Sequence, residues 1–236
     1  MKQMSKQKTT GSMTLRRKSL FIIPTLLAVM LAIHGASSQE RDTWQQPEKV
    51  MDAIGVNPGM TIGEVGAGYG YFTFKLARRV GNTGKVYAND IDKKALKSIE
   101  DRLKRENITN IVTILGEVEK PLFPQDTMDM VIMVYVLHDL KKPVQLLKNI
   151  KPSMKPDAPL VILEKDPEKT GDTSGHFYKK EKLLGLVAEA GYELVCVETF
   201  LTRDNIYIFK AKNFHSIIVR SEALAASHGA FCKGFS

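Results

Sequence analysis

Short apolar runs alternate with longer amphipathic stretches from residue 60 to residue 210. Met60 to Val65, Lys85 to Asn89, Ile111 to Leu115, Met128 to Val134 and Leu160 to Leu163 are short and rich in β-branched or other apolar residues. Such runs, bounded by turn residues, read as strands. Between them the apolar positions recur every three or four residues, as on one face of a helix. Phe72, Leu76 and Val80 form one such face, and Ala95, Ile99 and Leu103 another within a helix predicted over Lys93 to Arg105. Pro143 opens a helix through Ile150, and a further helix over Lys179 to Ala190 ends at Gly191. Two last strands, Glu193 to Phe200 and Ile206 to Lys210, are separated only by a turn around Arg203-Asp204-Asn205. That connection is too short for a helical crossover, so these strands must pair antiparallel. Upstream, Trp44 to Gly55 reads as one short helix with Pro47 near its start, and Asn57-Pro58-Gly59 as a turn. The pattern predicts an α/β fold: a doubly wound, mostly parallel seven-stranded sheet with an antiparallel last strand and helices on both faces.

The first strand runs directly into Gly66-Ala67-Gly68-Tyr69-Gly70. A strand, a glycine-rich turn and a helix make the first half of a nucleotide-binding βαβ unit. Glycine lets a backbone pass close to a ligand where a Cβ would collide, so Gly66, Gly68 and Gly70 are candidate ligand contacts. A dinucleotide fingerprint would need its third glycine at position 71, where the chain has Tyr71. Glu64, at the end of the strand, would repel a pyrophosphate but suits a ligand bearing an amino group and a sulfonium. Glu64 to Gly70, read as E-x-G-x-G-x-G, resembles motif I of the class I S-adenosylmethionine (SAM)-dependent methyltransferases. The resemblance extends over residues 44 to 210 and implies SAM as cofactor and methyl transfer as the activity.

Asp90 closes the second strand, about 20–30 positions beyond the glycine turn, where a carboxylate can accept hydrogen bonds from ribose hydroxyls. Asp92 lies nearby but is better placed to start the next helix. In the resembling family the loop after the third strand holds the adenine. There Glu117 matches the acidic position and Val118 the backbone donor beside it. In that family a helix like the one from Trp44 covers the cofactor pocket, so Trp44 is expected in lid packing, the alternative being packing on the ligand. His138 follows the fourth strand and Glu164 closes the fifth. The carboxyl ends of neighbouring strands face one crevice, so the two are candidate catalytic residues, the carboxylate orienting the imidazole. Val136-Leu137-His138-Asp139 resembles the Leu-His-Asp segment of small-molecule O-methyltransferases, in which this histidine is the base. The long N-terminal substrate-binding region of those enzymes has no counterpart in this sequence. No Asn/Asp-Pro-Pro-Tyr/Phe or Pro-Cys follows the fourth strand, which argues against amino-methylation of adenine or glutamine and against cytosine C5 chemistry. A small-molecule or lipid-like acceptor is expected. The rival readings are a non-catalytic SAM-binding protein on the same fold and a nicotinamide-dependent reductase, the latter disfavoured by Tyr71 and Glu64.

Residues 1–38 have a different character. They hold six basic residues and no acid, then an apolar run from Leu20 to Ile33 interrupted by Pro24, then Gly35-Ala36-Ser37-Ser38. A basic n-region, a short h-region and a small-residue exit predict a signal peptide, and the run falls short of the ~20 residues of a membrane span. An exported protein, periplasmic or secreted, is expected, with no stable span once the leader is removed; the alternative is an uncleaved anchor. The leader also accounts for most of the net charge of +8, because 28 basic and 26 acidic residues remain without it. No basic stripe with interleaved aromatics survives, so no nucleic-acid partner is expected. Cys196 and Cys232 are the only cysteines, so a disulfide framework is not expected, and no Cys/His cluster has metal-ligand spacing. The predicted organisation is a leader (1–38), a methyltransferase domain (39–210) and a loosely held tail (211–236).

Overall fold

The computed structural model describes residues 40–212. The predicted leader, and the predicted tail apart from its first two residues, lie outside the described residues. The elements are α1 (Pro47–Ala53), β1 (Thr61–Val65), α2 (Thr73–Val80), β2 (Lys85–Asp90), α3 (Lys93–Glu106), β3 (Ile111–Leu115), β4 (Met130–Val134), α4 (Pro143–Ile150), β5 (Leu160–Lys165), α5 (Pro167–Thr170), α6 (Lys180–Glu189), β6 (Tyr192–Glu198) and β7 (Asp204–Ala211). One seven-stranded sheet runs in the order β3-β2-β1-β4-β5-β7-β6. The first five strands are mutually parallel, and β7 enters antiparallel between β5 and β6.

The sheet separates two apolar layers, and the two-residue period of a strand decides which residue joins which. On β4, Met130, Ile132 and Val134 pack with Val50, Leu76 and Ile99 from α1, α2 and α3. Val131 and Met133 face the other way, toward Leu147, Ile150, Leu183 and Val187 from α4 and α6. Burial on both faces explains why β4 and most of β5 read as continuous apolar runs.

The predicted helix over Trp44 to Gly55 is two pieces. Residues 40–45 are helical, Gln46 has φ +46°, and α1 starts at Pro47. Proline lacks an N–H and disfavours the α conformation in the residue before it, so the chain turns at Gln46. Met128 falls short of β4 and makes an isolated bridge to Met154. The neighbouring Asp129 carboxylate is occupied by the Thr61 N–H at 2.7 Å and by Lys155. Cys196 is disulfide-bonded, where the sequence led to no disulfide framework being expected. No helix among the described residues is long and apolar enough to cross a membrane.

The order in which strands are added across the sheet reverses between β1 and β4, with β2 and β3 on one side and β5 onward on the other. In an open α/β sheet the crevice at the carboxyl ends beside such a reversal is the ligand site. Val65 pairs with Met133 there, so the glycine turn and the segment after β4 emerge side by side.

Candidate functional site

The three glycines of the turn all have left-handed backbones, with φ of +73° at Gly66, +53° at Gly68 and +84° at Gly70, a conformation that disfavours a Cβ. They differ in what surrounds them. A Cβ at Gly66 would strike the Val136 side chain, and one at Gly70 would lie 2.7 Å from the Phe74 ring. At Gly68 a Cβ would meet nothing within 4 Å. Gly66 and Gly70 are therefore required by the protein's own packing, and Gly68 is the one whose Cα faces open space. The Gly66 backbone also lines both crevice cavities, so packing against Val136 adds to the ligand contact expected there.

Glu64 is only 2% exposed and accepts a 2.5 Å hydrogen bond from the Thr73 hydroxyl. Burial pushes its carboxyl up to about 8, against the opposing pull of the Thr73 bond and the Arg41 charge. Asp90 accepts the Gly68 N–H at 2.7 Å on one oxygen and the Asp92 N–H at 2.9 Å on the other. Asp92 itself caps α3 by accepting the Lys94 N–H at 2.8 Å, so Asp90 is the carboxylate left at the crevice. It shares a cavity of about 330 Å³ with Glu117 and Val118, closed by Ile91, Val136 and Leu140. This apolar-walled slot with carboxylates at two edges suits an adenosine. The Glu117 carboxylate lies 3.5 Å from the Lys120 ammonium, so holding a base amine there means exchanging that contact.

A second cavity of about 320 Å³ continues along the glycine turn, between Glu64, Gly68 and Arg41. Tyr135 borders both cavities and a third beyond them. Its φ of +59° is unusual for a bulky residue, and its hydroxyl donates to the buried Asp204 carboxylate. The segment after β4 is then fixed by Glu164, which accepts the Leu137 N–H at 2.8 Å on one oxygen and meets His138 Nδ1 at 2.7 Å on the other.

The structure thus joins His138 to Glu164, as the sequence predicts. Burial works against a charged imidazole here, but the Glu164 hydrogen bond and charge, with help from Asp139, raise it above its ordinary value. The His138 side chain is 5% exposed, because the Phe177 ring lies 4.3 Å and the His176 ring 4.7 Å away. His138, Asp139 and His176 bring three donor atoms within 4.8 Å of one another, a grouping not anticipated from sequence because His176 sits on the segment between α5 and α6. With Nδ1 held by Glu164, Nε2 can accept a substrate proton or donate to a cation, not both at once. Trp44 packs edge-on to Tyr135 at 6.1 Å, beside the crevice as expected. Arg41 and Arg203, near the same rings, carried no sequence signal, since cation–π partners this far apart in sequence follow no spacing rule.

One titration series tests the cofactor cavities. Gly68→Val should abolish SAM binding while the domain stays folded, at a backbone cost of about 1–2 kcal/mol. Asp90→Ala should weaken binding by about 1.5–3 kcal/mol, through lost hydrogen bonds to a charged group. The positive ligand favours ionised Glu64, so wild-type affinity should climb as pH rises toward 8 and level off above it. Glu64→Gln should lack that component. Calorimetric affinities unchanged in the first two variants, or an identical pH dependence in the third, would contradict the assignment.

A family model described as a methyltransferase domain matches residues 56–217. Over 115 residues the chain is 30% identical to the ubiquinone/menaquinone biosynthesis C-methyltransferase UbiE of Escherichia fergusonii, covering 48% of this chain and 46% of that protein. The UbiE protein of Laribacter hongkongensis is 32% identical over 114 residues, with the same coverage. The chain therefore spans about half the length of the curated relatives it matches. Among solved structures, a SAM-dependent methyltransferase from Aquifex aeolicus superposes with a TM-score of 0.64 at 26% identity, over 69% of this chain and 88% of that one. The [4+2]-cyclase SpnF matches with a TM-score of 0.57 at 18% identity, over 65% of this chain and 59% of that one, a likeness of fold alone. With the family model spanning well over half of its length and the glycine turn at the switch point of its sheet, this chain belongs to the class I SAM-dependent methyltransferases.

Proposed function

We propose that the enzyme methylates a hydroxyl-bearing small molecule or lipid-like acceptor, with His138 as general base and Glu164 as its orienting partner. The observation that carries this reading is the pair of Glu164 bonds to Leu137 N–H and His138 Nδ1. They fix the ring and leave Nε2 as the proton acceptor. In the step, the acceptor oxygen attacks the sulfonium methyl carbon as the carbon–sulfur bond breaks. Its electron pair passes to sulfur, giving S-adenosylhomocysteine, and the hydroxyl proton goes to Nε2. The leaving group is already good, so the protein supplies proximity, alignment and proton removal. Phe177 and His176 must shift from the His138 ring for an acceptor to reach it.

The names of the matched relatives favour a second reading in which the methyl goes to carbon. Deprotonating a phenol or enol also makes the adjacent ring carbon nucleophilic, so the same base serves both outcomes. The nuclear magnetic resonance spectrum of the methylated product separates an ether from a carbon-bound methyl.

His138→Ala should lower turnover by roughly 10²-fold or more, since general-base help is worth about 10²–10⁴, with SAM affinity nearly unchanged. The raised imidazole must lose its proton to act, so wild-type activity should rise with pH through a midpoint above the ordinary histidine value. Glu164→Gln should move that midpoint down, because the carboxylate is what raises it. Chelators should leave the rate unchanged. Near-wild-type turnover in His138→Ala would leave transfer to proximity alone, and a rate restored by added divalent cation would give Nε2 to a metal.

We infer also that the protein is exported. The leader-like residues 1–38 support this, and disulfide-bonded Cys196 fits an oxidising compartment. SAM is made in the cytoplasm, so an exported enzyme needs its own cofactor supply. Intact-mass analysis from the native host should find a chain beginning near Gln39. A full-length cytosolic product would overturn export.

A further inference from the structure

The third cavity bordered by Tyr135 holds about 340 Å³ and is lined by Arg41, Trp44, Tyr135, Lys165, Phe177 and Arg203. Its rings do not stack on one another. Trp44 meets Tyr135 at 6.1 Å and 81°, and Tyr135 meets Phe177 at 6.2 Å and 75°, so they stand as walls around a space with room for a flat molecule. Three cations rim it. The Arg203 guanidinium lies 4.3 Å from the Trp44 ring centre, Lys165 Nζ lies 4.7 Å from that of Phe177, and Arg41 lies 5.8 Å from that of Tyr135.

These cations differ in what neutralises them. Lys165 is paired with Asp172 at 2.6 Å. The Asp42 carboxylate is taken by Lys75 and the Tyr71 hydroxyl, and that of Asp204 receives the Tyr135 hydroxyl. Arg41 gives its Nε–H to the Gln45 side-chain oxygen at 2.9 Å. Neither Arg41 nor Arg203 has a carboxylate within ion-pairing distance among the described residues. Arg41 has that Nε–H spent on Gln45 and lies closer to Tyr71, at 3.9 Å, than to Tyr135. The Arg203 guanidinium on Trp44, by contrast, gives no side-chain hydrogen bond among the described residues and makes a receptor for a planar anion. The guanidinium fork matches a carboxylate through two parallel hydrogen bonds, and the ring walls match an aromatic body. Arg41 also borders the glycine-turn cavity, where it can serve the carboxylate of the cofactor. Arg203 borders the outer cavity alone.

Resting on the methyltransferase reading above, we propose that this outer cavity is the acceptor site and that it selects aromatic carboxylates, with Arg203 on Trp44 reading the carboxylate. The shared wall at Tyr135 brings the far edge of such a molecule up to the glycine-turn cavity, where the sulfonium would lie. The cavity is open to solvent on its outer side, so a longer substituent can run out of it.

Trp44 is the only tryptophan in the chain, so its fluorescence reports on this cavity directly. The full chain, saturated with S-adenosylhomocysteine as confirmed by calorimetry, is titrated with 4-hydroxybenzoate and with the neutral 4-hydroxybenzamide. The carboxylate should quench Trp44 and bind at least tenfold more tightly than the amide. Arg203→Gln should bring the two within about twofold by weakening the carboxylate alone. Equal binding of the two probes to wild type would overturn the proposal without any variant. So would a carboxylate preference that survives Arg203→Gln, or carboxylate binding seen only in a parallel titration without S-adenosylhomocysteine, which would assign the anion site to the cofactor. Failure of S-adenosylhomocysteine itself to bind would instead count against the methyltransferase reading.

Discussion

A single buried carboxylate sets the geometry of this crevice. Glu164 is 4% exposed, and a desolvated carboxylate is costly unless its oxygens are occupied. Both are: one by the Leu137 N–H, the other by the His138 ring. The register of β4 on β5 makes this possible, because Val134 pairs with Leu163, one residue before Glu164. The chain leaving β4 is thereby drawn into a left-handed turn at Tyr135 and a tight turn over Leu137–Asp139. Val136 is left packed against Gly66. The wall between the glycine-turn cavity and the aromatic cavity beyond it is thus set from the end of a neighbouring strand.

Tyr135 carries the consequence. Its ring borders the adenosine-sized slot, the glycine-turn cavity and the aromatic cavity beyond, and its hydroxyl is tied to Asp204 at the start of β7. Three strands therefore hold this residue: β4 by chain continuity, β5 through the Leu163 carbonyl that accepts the Tyr135 N–H at 2.9 Å, and β7 through Asp204. Inserting β7 between β5 and β6 is what brings Asp204 and Arg203 within reach of the crevice.

The sheet was legible because burial on both faces forces long apolar runs, and the glycine turn because three left-handed residues in close succession leave few alternatives to glycine. The placing of Glu64, Asp90, Glu117, Val118, His138 and Glu164 around one crevice was legible because each lies at or just beyond the carboxyl end of a strand, and strand ends converge by topology. The break at Gln46 was readable in principle from Pro47 alone. What stayed hidden lies off the strands. Arg41 stands in the helical turn before α1, and Arg203 in the bend before β7. His176 and Phe177 occupy an irregular segment after α5, so no periodicity announces that they cover His138. The different duties of the three glycines also depend on neighbours distant in sequence, Val136 for Gly66 and Ile99 beside Phe74 for Gly70.

The central claim is that one continuous crevice orders the cofactor from the β2–β3 edge toward Tyr135. A crystal structure with S-adenosylhomocysteine tests it most directly. The adenine should lie by Glu117 and Val118, the ribose hydroxyls on Asp90, and the homocysteine along Gly66 to Gly68 with its sulfur turned toward the Trp44–Tyr135–Phe177 cavity. A ligand bound in the reverse direction, or a sulfur turned away from that cavity, would contradict the account.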